Sequence, residues 1–122
     1  MTQQIILATA ALFGGLSVVF GAFGAHALKK ILSTDQLQSF EVGVKYQMYH
    51  AIVLLVLGLT PKYTSAPIYW CFTIGILLFS FSIYGLVLSD AKEKKLRFLG
   101  PITPIGGLLI VSGWLLLLIH AF

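Results

Sequence analysis

A chain of 122 residues has room for one domain, and 58% of it is hydrophobic against only 10% charged. A water-soluble domain is charged at about one residue in four, so too little polar side chain remains to cover a solvated surface, and the natural solvent is a bilayer. The net charge of +4 follows a loop pattern described below and excludes a nucleic-acid patch, while the lone Cys71 can form neither an internal disulfide nor a metal site of several thiolates.

The first apolar segment covers about residues 5–28 and carries no charge. The stretch before it lacks the basic region of a signal peptide. "AHA" at 25–27 imitates a cleavage site, but Lys29 and Lys30 follow at once, so the segment reads as a retained anchor. Within it Ala10, Gly14, Ser17, Gly21 and Gly24 recur at alternating spacings of four and three. Such a seam of small residues lets another backbone approach closely. It serves either as a dimerisation face or, the favoured reading, as packing within one bundle. "GAFGAHALKK" lacks the GxxxxGK[ST] spacing of a phosphate loop, and no strand precedes it.

Next comes "STDQLQSFEVGVKYQMYH". Ser33 followed by Gln36 is a capping-box pattern, with Asp35 well placed in the first turn. Leu37, Phe40, Val44 and Met48 make an apolar stripe at helical spacing, and Glu41 and Lys45 form a favourable i,i+4 pair. This predicts a short amphipathic interfacial helix over about 34–45, bending near Gly43 into a second span over about 45–59. "TPKYTSAP" is a tight turn. The third span covers about 66–89, the loop "SDAKEKKLRFLGPITP" follows, and the fourth span covers about 104–122 with Thr103 as its cap and Pro104 in its first turn. Gly106 and Gly107 give that helix its own close-packing patch. The predicted fold is an all-α integral membrane four-helix bundle.

Orientation follows from lysine and arginine. The first and third loops hold Lys29, Lys30, Lys45, Lys92, Lys94, Lys95 and Arg97, and the second loop holds only Lys62. Seven against one places both basic loops in the cytoplasm and both termini outside. The basic loops suit anionic lipid headgroups.

Candidate ligand or lipid contacts are His26, Lys45, Tyr46, Gln47 and His50. Tyr46 and His50 are i,i+4 and Gln47 and His50 are i,i+3, so they can converge. Polar groups at membrane depth face a bundle interior and mark function by default. The plainer reading is an interhelical hydrogen-bond network reaching Ser80, Ser82 or Tyr84. A haem or metal bridge from His26 to His50 is disfavoured by depth, since His50 lies ten residues before Thr60, about 15 Å along a helix. Trp70, Trp114 and His120 read as packing or interface anchors. The first, third and fourth segments hold no Asp or Glu, which counts against a proton-coupled carrier. No Ser–His–acid arrangement suggests a hydrolase.

"GAFGAHALKK", "YQMYHAIVLL", "LLFSFSIYGL" and "GPITPIGGLLIVSGW" occur in that order. Together they resemble the small membrane-protein family known as domain of unknown function 423, related to transmembrane protein 256 of animals. The resemblance covers nearly the whole chain. It implies four membrane helices, in bacteria an inner-membrane location, and no assigned reaction. Its motif positions here are Gly21, Gly24, His26, Tyr46, Gln47, His50, Pro101, Thr103, Pro104, Gly106, Gly107 and Trp114. The expectation is a non-enzymatic structural or accessory membrane protein without a cofactor or metal. Its partners would be membrane lipids, a second copy of the chain or another membrane protein. The alternatives are a small transporter or channel with a polar path at His26, Gln47 and His50, and, less favoured, a haem or metal carrier.

Overall fold

The computed structural model describes residues 2–122, and among them every regular element is a helix. Four rods result. The first is α1 (Gln3–Ala25), followed by a 3-10 turn (Leu28–Lys30), and the second is α2 (Thr34–Leu59). The third runs without a break through α3 (Ala66–Ile76), a π-helical segment (Leu77–Phe81) and α4 (Ser82–Ala91). The fourth is α5 (Ile102–His120), entered through the turn Arg97–Leu99. With their flanking turns the rods are 28, 26, 26 and 24 residues long, against the roughly 20 needed to cross a bilayer. The chain is an all-α, four-helix membrane bundle.

Local chemistry sets the helix ends. Gln36 N–H donates to Ser33 Oγ at 3.1 Å, and Ser33 N–H donates back to Gln36 Oε1 at 2.9 Å. This reciprocal capping box starts α2. The amphipathic stretch is helical and continuous with the second span. Phe40, Gly43, Gln47, Ala51 and Leu54 are all buried, so one face of α2 stays against the bundle throughout and nothing breaks the helix between. The expected cap of the fourth helix is corrected. Helix α5 begins at Ile102 with Pro101 in the cap position and no side-chain cap bond. Thr103 is already helical, and its hydroxyl pairs with Ser82 Oγ. Asp90, read from the sequence as loop, lies within α4.

Helices α1 and α2 pack side by side and antiparallel. The small seam of α1 lies against α2 of the same chain. A Cβ added at Gly24 would lie 3.2 Å from the Phe40 ring, one at Gly21 3.5 Å from Val44 Cγ1, and one at Gly14 3.8 Å from Ala51 Cβ. Ala10 and Ser17 are buried at the same contact. Lipid is as apolar as leucine, so helices in a membrane associate by this close fit and by hydrogen bonds rather than by expelling water.

The π segment is the point of closest packing between the third rod and its neighbours. Its wider turn lies between Gly43 of α2 and Gly106 of α5. Ser80 Oγ donates to the Gly43 carbonyl at 2.7 Å. A Cβ at Gly106 would lie 2.6 Å from the Leu78 carbonyl carbon and 2.8 Å from Phe79 Cα. Two apolar clusters fill the bundle. One holds Phe13, Leu54, Ile68, Phe72, Ile76 and Ile110. The other, nearer the basic loops, holds Leu32, Phe40, Tyr84 and Val87.

Candidate functional site

The polar residues of α2 point to two different neighbours. Gln47 is 0% exposed. Its Nε2 donates to the Phe13 carbonyl of α1 at 2.8 Å, and its Oε1 accepts the Tyr84 hydroxyl of α4 at 2.7 Å. Ser17 Oγ donates to the Val44 carbonyl at 2.8 Å one turn away. With the Ser80–Gly43 bond, these contacts tie three rods together. A polar group in hydrocarbon without a partner costs several kcal/mol, and here each of these side chains has one.

His50 occupies the adjacent face of α2 and meets α5. Trp114 Nε1 lies 3.1 Å from His50 Nε2, and His50 Nδ1 lies 2.7 Å from the Tyr46 carbonyl. An indole N–H only donates, so Nε2 accepts, and Nδ1 carries the proton and donates to Tyr46. Both ring nitrogens are occupied. Phe72 and Trp114 pack around the imidazole at centroid distances of 5.8 and 5.9 Å. Tyr46 stacks on it at 6.1 Å while remaining 42% exposed.

The five sequence candidates therefore divide. Gln47 and His50 are buried on adjacent faces, Tyr46 is half-exposed beside His50, and Lys45 and His26 are exposed. His26 caps α1 and lines a basic crevice of about 530 Å³ with Lys29 and Lys30. Gly24 of α1 lies opposite Phe40, and His50 is ten residues further along α2, about 15 Å away. The two histidines do not share a site. Among the described residues no three His, Cys, Asp or Glu gather as a metal centre. Among the described residues one buried polar side-chain atom, Thr73 Oγ1, has no partner.

A second crevice, of about 540 Å³, lies at the basic end of the bundle between the start of α2, the end of α4 and the start of α5. Asp35, Gln36, Asp90 and Lys95 form its polar rim, and Val42, Ile83, Leu86 and Val87 form its apolar wall. Gln36 Nε2 donates to Asp90 Oδ2 at 2.9 Å, which fixes the carboxylate across the gap between α2 and α4. In the sequence Asp35 and Gln36 are helix-start signals, and Lys95 belongs to a basic loop that marks topology and suits anionic headgroups. A signal for Asp90 exists, since it is the first charge after an uncharged run of 27 residues, 63–89.

Four apolar rods, two of whose connecting loops are basic, with Ser17, Gln47, His50, Ser80 and Tyr84 bonded across the bundle, define a small polytopic membrane protein. The chain belongs to the family described as "Protein of unknown function (DUF423)", whose model matches residues 20–107. It is 40% identical to a UPF0382 membrane protein of Staphylococcus haemolyticus over 98% of this chain and 97% of that one. It is 39% identical to a UPF0382 membrane protein of Schizosaccharomyces pombe over 90% and 95%. It is 35% identical to the UPF0382 inner membrane protein YgdD of Escherichia coli over 99% and 92%. No solved structure matches the chain.

Proposed function

We propose that the protein is a non-enzymatic accessory protein of the membrane that holds a phospholipid in the crevice between α2 and α4. The observation that carries this reading is the crevice itself. A charged rim stands over an apolar wall, which is the polarity of a headgroup joined to an acyl chain. Its volume falls in the range of about 300–1,000 Å³ usual for small-molecule sites. A polar path for solute or ion is less well supported, because Gln47, Tyr84, Ser17 and Ser80 are bonded to one another or to main-chain carbonyls. Haem or metal carriage would require His50 to release Trp114.

The basic loops flank the crevice, and the lysine and arginine bias puts that end in the cytoplasm with both termini outside. The name of the Escherichia coli relative, an inner membrane protein, supports a plasma-membrane location. In a chain with Cys71→Ser, cysteine at Glu93 should react with an impermeant thiol reagent only after the membrane is opened, and cysteine at Lys62 in intact cells. The opposite pattern overturns the orientation. Native mass spectrometry from mild detergent should show a retained phospholipid, lost when Ser39→Trp fills the crevice. Equal retention by both proteins overturns the lipid reading.

A further inference from the structure

Charge is distributed unevenly around the crevice. Resting on the lipid reading above, we infer that the crevice selects a phospholipid with a primary ammonium headgroup, a phosphatidylethanolamine. The ammonium sits against Asp35 and Asp90 and the phosphate lies toward Lys95.

The lining carries two carboxylates and one lysine, so its polar end is net negative by one charge. An anionic headgroup such as glycerol phosphate could set its phosphate against Lys95 but would bring no cation to Asp35 and Asp90. A zwitterionic headgroup complements both signs at once. The bond that positions Asp90 sharpens this preference. Its donor, the Gln36 amide, is neutral, so it orients the carboxylate without cancelling its charge. The amide is itself held by the capping box through its own oxygen. The carboxylate is thus preorganised by a helix end and keeps lone pairs for another donor.

The choice between ethanolamine and choline rests on the rest of the lining. A quaternary ammonium has no N–H and is recognised by the faces of aromatic rings. No aromatic residue lines this crevice. A primary ammonium has three N–H donors, and Asp35, Asp90, Ser39 and Thr103 offer it oxygen acceptors. Below them, Val42, Ile83 and Leu86 lead along the α2–α4 groove toward the close contact of Gly43 with Tyr84. That is the course an acyl chain would take.

The test uses the full chain in nanodiscs made with equal parts of ethanolamine, choline and glycerol phospholipids of identical acyl chains. Lipid carried with the protein on transfer to mild detergent is identified by native mass spectrometry. The expected result is enrichment of the ethanolamine lipid over each of the others by about tenfold, the factor that one charge-assisted hydrogen bond carries. The Asp35→Asn and Asp90→Asn double variant should retain lipid with that enrichment lost. Asparagine at 90 keeps an oxygen for Gln36, and an unchanged unfolding midpoint verifies the fold. Retention in bulk proportion, enrichment of choline or glycerol lipid, or enrichment that survives in the double variant overturns the inference and leaves the lipid reading standing. If no lipid is retained by the wild type, or if Ser39→Trp retains as much, both fall.

Discussion

Replacing Gly106 with alanine puts a methyl carbon where the backbone of the π segment already lies. The new Cβ would sit 2.6 Å from the Leu78 carbonyl carbon, where ordinary contact begins at 3.4 Å, a deficit of 0.8 Å. The clashing atoms belong to the main chain, so no rotamer change relieves them. Helix α5 must withdraw, and its withdrawal opens two further contacts on the same face. Gly75 lies against Ile110, and Gly113 lies against the Phe72 ring, each leaving under 3.0 Å for an added Cβ. A gap of 0.5–1 Å forfeits roughly a quarter to a half of each dispersion well. Overpacking costs about 1–3 kcal/mol, and a main-chain clash belongs at the upper end. A loss of about 3 kcal/mol lowers the folded-to-unfolded ratio more than about 100-fold. Gly107→Ala is the control. Its Cβ would meet the Phe79 ring at 3.6 and 3.8 Å, ordinary contact, and alanine is the better helix former by about 1 kcal/mol, so its stability should hold or rise. Unfolding is followed by SDS titration in mixed micelles, read by the reaction of the half-buried Cys71 with a thiol dye. Equal midpoints for the two alanine variants would refute the close approach of α5 to the π segment.

Tyr84→Phe strands the buried Gln47 Oε1 and should cost about 1–2 kcal/mol, near the maximum measured for side-chain hydrogen bonds inside membranes. The double variant with Gln47→Leu should be less destabilised than the two single effects added together, and strict additivity in the same SDS titration would argue that the pair is not bonded. Thr73→Val replaces the unpartnered hydroxyl with a methyl group of the same shape. It should be neutral or stabilising by up to about 1 kcal/mol, and a clear loss would mean that the hydroxyl has a partner after all.

Much of the architecture is legible in the residues. The charge distribution is read by counting along the chain, the Ser33–Gln36 capping box and the small seam of α1 depend on neighbours a few positions apart, and the capping box forms as read. The pairing of Gln47 with Tyr84 spans 37 positions and that of Gln36 with Asp90 spans 54, and no local pattern encodes either. Asp90 was hidden by its setting, because a charge beside "KEKK" reads as loop until the helix is seen to continue through it.

The chain by itself determined that the first, third and fourth segments can cross a membrane, because an uncharged run of some 20 residues has no other stable solvent and must satisfy its backbone as helix, while the shorter second segment reaches spanning length only with the amphipathic stretch before it. Beyond the small seam of α1 and the polar residues of α2, it could not say which face of each helix turns inward. In a soluble bundle the apolar stripe marks the core, but here lipid and core are equally apolar and the stripe is lost. Only the tertiary structure decided that Gln47 turns to α1 and α4 while His50 turns to α5. It alone placed a π segment between Gly43 and Gly106. It also brought Asp35, Asp90 and Lys95, far apart in the chain, around one crevice at the basic end of the bundle.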